Sequence, residues 1–139
     1  MITEIRTRLA AQTPALKLVG GAADFQTAAE RNPAATPAAF VFLVGEDPSA
    51  NQLSNAVEQR IAATAAIVYC LSNAADATGA AAQADIDTLR AAGRAALYGW
   101  QPAPNYDPLE RGQSKLLAFR DGYIWWQDLY HSAYYDRSY

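Results

Sequence analysis

Residues able to carry out acid–base, nucleophilic or metal chemistry are sparse in this sequence. His131 is the only histidine and Cys70 the only cysteine. A catalytic nucleophile needs a base and an orienting group beside it, and no such set can be assembled around His131. The acidic residues are scattered, without a metal-ligand spacing to the histidine. Cys70 lies in an apolar run with no basic neighbour, which indicates a core residue rather than a reactive thiol. We therefore expect no catalytic residue, no metal, no cofactor and no enzyme activity.

Composition and charge exclude further classes of protein. The chain has 139 residues, with 14 acidic and 11 basic side chains and a net charge of -3. It has no run of Lys or Arg that could neutralise a row of phosphates, which argues against sequence-specific nucleic-acid binding. It also lacks the pattern of a signal peptide and the apolar run of about 20 residues that a membrane helix needs. We expect no membrane partner.

The apolar composition predicts a modest core. Of 71 apolar residues, 31 are alanine, so large side chains are few for a chain of this length. A small domain can gain stability by burying surface between subunits. Oligomerisation is therefore expected.

The spacing of apolar residues predicts an α+β fold in a single domain over residues 1–139. Helical spacing predicts two main helices, over 1–12 and 85–98, and a brief one over 24–31. Strand-like runs occupy 16–19, 38–44, 57–72, 115–120 and 123–130, the last two joined by the hairpin signal Asp121-Gly122. This order favours a mostly antiparallel sheet with the two main helices packed on one face. Residues 131–139 are expected to form a C-terminal arm.

The stretch over 57–72 is the longest predicted strand. Leu53, Val57 and Ile61 would also line one side of a helix, but alternation of residue types along the stretch favours a strand. Its length, at about 3.3 Å per residue, is roughly 50 Å and exceeds the width expected for a globule of this size. We therefore expect a long hairpin over 38–72 that protrudes from the body, with its tip in the loop 45–56.

The stretch "YGWQPAPNYDPLERG", residues 98–112, places Trp100 between a helix end and three prolines. Gly99 stands where a helix C-terminus favours a left-handed residue, and the prolines stiffen the crossing to the last hairpin. We interpret Trp100 as an anchor between the second helix and the sheet. The residues expected to form this anchor are Trp100, Gly99, Pro102, Leu97, Leu89 and Ile86.

These segments together resemble the tail terminator proteins of long-tailed bacteriophages. The similarity rests on Leu18-Val19-Gly20-Gly21, on 37–43 (PAAFVFL), on 57–61 (VEQRI), on 96–102 (ALYGWQP) and on the aromatic strand around Trp125 and Trp126. It extends over nearly the whole chain, to about residue 132. The sequence departs from the family pattern in the second long strand, which is usually β-branched. Here it contains Ala62, Ala63, Ala65 and Ala66.

The resemblance implies a structural virion protein. Its copies would form a ring, typically of six, that caps the tail tube, stops its polymerisation and docks the head–tail connector of the neck. The implied partners are copies of the chain, the tail tube protein, the connector protein and the tape-measure protein, while DNA passes through the lumen without specific binding. The protein would be assembled in the bacterial cytoplasm and reside in the tail or neck of the virion.

Two sets of residues follow as candidates for contacts in such a ring. Large or polar side chains on the long strands and the tail are expected at the subunit interface: Phe40, Phe42, Val57, Gln59, Ile61, Trp125, Trp126, Tyr130, Tyr134 and Tyr135. A loop facing the tube or the lumen is expected to contain Glu46, Asp47, Asn51, Gln52 and Asn55.

Two alternatives remain open from the sequence. One is another ring protein of the phage neck. The other is a small dimeric α+β binding domain in which Trp100, Trp125 and Trp126 line a hydrophobic ligand pocket.

Overall fold

The computed structural model of the chain describes residues 1–72 and 80–139. Within these ranges the chain forms three helices and five strands. In order they are α1 (Ile2–Gln12), β1 (Leu18–Gly20), α2 (Ala22–Arg31), β2 (Ala38–Pro48), β3 (Glu58–Ser72), α3 (Ala80–Leu97), β4 (Glu110–Arg120) and β5 (Tyr123–Arg137).

The strands form one five-stranded sheet in the order β1-β2-β3-β5-β4. β1 pairs with β2 in parallel, and the other neighbours are antiparallel. The predicted α+β class and mostly antiparallel sheet are confirmed. The stretch that could have been strand or helix is a strand from Glu58 onward.

Helices cover the two faces of the sheet unequally. α1 and α3 pack on one face, where Ile5 and Leu9 of α1 and Ile86 of α3 share a core with Ile67 and Tyr69 of β3. The short α2 lies on the opposite face and places Ala28 in a second cluster with sheet residues that include Phe40 and Trp125. The central strands therefore need apolar side chains at both odd and even positions, because each face of the sheet has its own core.

The last hairpin is longer than the sequence indicated. Its turn is as predicted: Asp121 and Gly122 both have positive φ, 53° and 75°, as a two-residue turn of type I′ requires. Its strands, however, begin at Glu110 and end at Arg137. The expected arm over 131–139 is instead mainly the end of β5, which pairs with β3 from Glu58 to Thr64.

The alanines of β3 have a packing role. Ala65 lies between Leu43 of β2 and Tyr130 of β5, and Ala66 lies between Phe42 and Leu129. Large residues therefore stand on the neighbouring strands, and small ones on β3 leave them space to extend over the sheet. This accounts for the departure from a β-branched strand.

Candidate functional site

Trp100 joins α1 to the end of α3. The helix ends at Leu97, and Gly99 reverses the chain with a φ of 77°. The Trp100 N–H then donates to Leu97 O at 3.1 Å. The Arg8 guanidinium lies 4.7 Å from the centre of the partly buried Trp100 ring. Arg8 also donates through Nε to Ala96 O at 2.5 Å, so the tryptophan and the arginine together connect the two helices.

The crossing after Trp100 lies against the sheet. Leu109 exchanges two backbone hydrogen bonds with the Gly99-Trp100 stretch, of 2.8 and 2.9 Å, and its side chain is buried. Further along, the Asp107 N–H donates to Ala133 O at 2.8 Å, so the crossing continues beside β5 where β4 has not yet begun. Of the other residues expected in the anchor, Gly99 is exposed and four are buried: Ile86, Leu89, Leu97 and Pro102.

The three tryptophans do not line one pocket. Trp125 belongs to the cluster under α2, where its ring stacks on Phe40 with centroids 6.2 Å apart. Trp126 packs on the opposite face with the core of α1 and α3. Trp100 lies beside Arg8 at the helix ends. The hypothesis of a ligand pocket formed by all three is therefore wrong, because consecutive strand residues point to opposite faces.

A buried ion pair that we did not predict fixes α3 on the sheet. Arg90 of α3 donates to both oxygens of Asp128 on β5, through Nε at 3.1 and 3.0 Å and Nη2 at 2.8 Å. Ser114 Oγ and Trp126 Nε1 donate to the same carboxylate at 2.6 and 3.2 Å. The Arg90 guanidinium also lies 4.4 Å from the Trp126 ring centre.

A signal for this ion pair was present in the sequence. Arg90 stands four residues after Ile86 and so lies beside the apolar stripe of its helix. Asp128 has the same parity as Trp126 and Tyr130, which places all three on one face of β5. Arg90 and Asp128 thus carry opposite charges on faces that both point into the core. They are predicted to pair once α3 is known to lie over β5.

Several residues expected at the subunit interface are buried in the chain's own core. Phe40, Ile61, Trp125 and Tyr130 are at most 6% exposed, so their side chains cannot reach a neighbour. This corrects the expectation for these four residues. Phe40 and Trp125 are buried in the cluster under α2, and Tyr130 is buried in the core under α1 and α3 on the other face.

The remaining interface candidates keep some exposure. Val57 and Tyr135 are exposed, whereas Phe42, Gln59, Trp126 and Tyr134 are partly buried. The Tyr134 ring packs at a tilt against that of Tyr106, with ring centroids 4.8 Å apart, and its hydroxyl donates to the Glu46 carboxylate. This hydrogen bond raises the pKa of Tyr134 to about 12.

The tip of the β2–β3 hairpin is an ordered loop. Asn51 organises it by donating to Leu53 O and Ala56 O at 2.9 and 3.0 Å and by accepting from the Glu58 N–H at 3.0 Å. Gln52 and Asn55 are exposed there. Glu46 and Asp47, which we expected in the loop, lie in β2 and pair with β3. The loop therefore begins after Pro48.

The end of the chain is fastened to the base of this loop. Arg137 Nε and the Tyr139 hydroxyl both donate to Glu58 Oε2, at 2.7 and 2.6 Å. The hydrogen bond from Tyr139, and then that from Arg137, lowers the pKa of Glu58. Ser138 adds a backbone hydrogen bond to Val57 O at 2.9 Å. The hairpin tip and the C-terminus are thus one structural unit.

The chemical groups singled out in the sequence are held in structural contacts. Burial raises the pKa of the Cys70 thiol to about 12. His131 Nδ1 lies 2.9 Å from Thr64 Oγ1 on the adjacent strand. In the part of the chain that the structure describes, no three His, Cys, Asp or Glu side chains could hold a metal ion. No helix over residues 1–72 and 80–139 is long and apolar enough to cross a membrane.

Exposed apolar side chains concentrate on two strands at the sides of the sheet. On β2 they are Leu43 and Val44, and on β4 they are Leu116, Leu117 and Phe119. Exposed apolar groups on unpaired strand edges mark surfaces that associate with other chains. An α+β sheet with apolar side chains exposed on such edges is typical of a protein that associates with other chains.

The comparison with protein families agrees with this class. The model of one family, described as phage tail terminator protein, matches residues 2–138 of the chain. The chain belongs to the phage tail terminator family, and it is a structural protein of the bacteriophage tail that associates with other tail components in the virion. A search of the curated proteins found no match.

Proposed function

We propose that copies of this chain assemble into a ring that caps the end of the tail tube, stops its polymerisation and offers its other surface to the head–tail connector. Six copies are the number that the family resemblance implies. The observation that carries the proposal is the family match over residues 2–138, because it covers the whole fold described above. The exposed apolar residues of β2 and β4 support association between copies.

The hairpin tip is the part of the chain proposed to face the tube or the lumen. The three hydrogen bonds of Asn51 across the loop support a contact role, since a loop restrained in this way loses less entropy on binding. Gln52 and Asn55 present exposed side chains from that loop. Glu46 and Asp47 extend the polar surface along β2 toward the tip.

The proposal is tested by mixing the purified chain with tail tube subunits of the same phage. Negative-stain images should show tubes that are capped at one end and shorter than tubes assembled alone. Light scattering after size exclusion gives the number of copies in the free ring. Tubes of unaltered length and uncapped ends would contradict the proposal.

Variants at the hairpin tip test the contact with the tube independently of ring assembly. We expect Gln52→Arg together with Asn55→Arg to leave the ring intact and to reduce the fraction of capped tubes. Gln26→Arg is the matched control, because Gln26 is also exposed but lies on α2. Equal capping by the tip variant and the control would show that the loop does not meet the tube.

A further inference from the structure

The sheet ends at two strand edges that lie on opposite sides of the chain. β4 is the last strand on one side, and β2 is covered on the other side by β1 only from Ala38 to Phe40. Within residues 1–72 and 80–139, no strand pairs with the outer edge of β4 or with β2 beyond Phe40. Backbone N–H and C=O groups along these edges are available to another chain.

Both edges carry exposed apolar side chains. Val44 on β2 is 54% exposed and Leu116 on β4 is 49% exposed. Leu43 stands beside Val44, and Leu117 and Phe119 follow Leu116. Soluble proteins usually protect such edges with charges or a covering element, so each edge has the composition of one half of an interface.

The two edges have opposite charge. β2 contains Glu46 and Asp47 and no basic residue, a net charge of -2. β4 contains Arg111, Lys115 and Arg120 against Glu110, a net charge of +2. Among the described residues, neither Arg111 nor Lys115 forms an ion pair. Two copies of the same edge would repel each other, whereas the edge of β2 attracts that of β4.

The strand directions suit contact between different edges. β2, β3, β5 and β4 alternate in direction across the sheet, so β4 runs opposite to β2. If copies are related by rotation about an axis along the strands, β4 of one copy is antiparallel to β2 of the next. Antiparallel strands pair with the better hydrogen-bond geometry. A contact between two different surfaces repeats from copy to copy and closes into a ring when the rotation allows it.

Irregularities in both strands provide curvature. β2 has a bulge between Leu43 and Gly45, and β4 has irregularities between Arg111 and Ser114 and between Leu116 and Ala118. Bulges bend a strand and increase its twist, as a sheet that closes on itself requires.

We propose that the outer edge of β4 in one copy pairs with the outer edge of β2, beyond Phe40, in the next copy. The occupant of each edge is thus a second copy of this chain, and the contact is the head-to-tail interface of the ring. This inference rests on the proposed function, since it assigns the interface by which that ring would form.

Cysteine cross-linking tests which edges meet. The natural Cys70 is buried with a raised pKa, so it leaves a low background toward a short bismaleimide. Val44→Cys and Leu116→Cys are made singly and together. The double variant should give a ladder of covalent multimers on a denaturing gel, up to the number of copies in the ring. The two single variants should give no cross-linked product, because identical edges do not meet.

Mixing of charged variants gives a second measurement. Val44→Lys and Leu116→Glu each add a charge of the sign that the neighbouring edge already carries, so each variant alone should elute as a monomer. In a mixture of the two, unaltered edges meet at one interface and the introduced Glu and Lys face each other with opposite charge at the other, so the mixture should recover the ring. Tyr98→Glu, at an exposed position outside both edges, should keep the ring. Circular dichroism verifies that all the variants are folded.

Several results would overturn the edge pairing. A cross-linked dimer of the Leu116→Cys variant alone would show that β4 meets β4. A ring that caps tubes but does not cross-link in the double variant would refute this interface while leaving the proposed function in place. A chain that stays monomeric, alone and with tube subunits, would refute both.

Discussion

Removal of the buried charge at Asp128 should destabilise the protein strongly. Its side chain is 4% exposed and that of its partner Arg90 is 12% exposed. The substitution Asp128→Asn keeps the shape but leaves the guanidinium without a counter-charge in the core. Breaking a buried pair in this way costs about 3 kcal/mol, the lower end of the range measured for such pairs. The melting temperature should then fall by roughly 10 °C for a chain of this size.

A matched control is available on the same arginine. Asp87 lies 3.5 Å from Arg90 Nη1, but its side chain is 55% exposed. Because solvent and salt screen an exposed pair, Asp87→Asn should cost less than about 0.5 kcal/mol. Comparison of Asp128→Asn with Asp87→Asn therefore separates the effect of burial on stability from the effect of an ion pair as such.

The measurement is urea unfolding followed by tryptophan fluorescence and circular dichroism. All variants are compared at one protein concentration, since assembly raises apparent stability by mass action. Replacement of both partners, Arg90→Met with Asp128→Leu, should cost less than Asp128→Asn alone, because it removes the unpaired charge. Equal, small effects of Asp128→Asn and Asp87→Asn would refute the role assigned to the buried pair.

Three further predictions follow from the packing of Trp100, Gly93 and Cys70. Trp100→Ala should lower the free energy of unfolding by about 2 kcal/mol, measured in urea, because it removes a partly buried ring and its contact with Arg8; an unchanged stability and intact assembly would contradict the anchor role. Gly93→Ala should destabilise because an added Cβ would lie 1.9 Å from the Tyr69 hydroxyl. In a double-mutant cycle, Tyr69→Phe should recover part of the stability that Gly93→Ala removes. No recovery would show that the added Cβ does not clash with the Tyr69 hydroxyl. Burial raises the pKa of Cys70 from 9.0 to about 12, so its contribution to stability is present below pH 9.0 and is lost as the pH rises toward 12. The thiol should react with a disulfide reagent at pH 8.5 only after unfolding, and rapid reaction of the folded protein would contradict the burial.

Local features of the fold could be predicted because they depend on neighbouring residues. The positive φ of Gly99 and of the Asp121-Gly122 turn follows from the few residue types that adopt it. The helix over α3 follows from the spacing of Ile86 and Leu89, since the apolar period identifies its buried side. Strand ends were less predictable, because pairing with β3 extends β5 past Tyr130 although the tail has no strong local signal.

The candidate contact surfaces depended on the order of the strands. Phe40 and Leu116 are both apolar residues in predicted strands, yet Phe40 lies beneath α2 and Leu116 lies exposed on the edge strand. Their sequence surroundings do not distinguish them, because burial of a strand residue depends on which elements cover its face and on whether its strand is central.

The sequence by itself determined the helices, the strands and their turns, since these follow from apolar spacing and backbone preference. It also determined the family, through motifs spread over nearly the whole chain. The tertiary structure alone decided that Arg90 meets Asp128 and that opposite charges lie on the two open edges. The physical reason is that these contacts join residues far apart in the chain, and only the packing of α3 and the order of the strands bring them into place.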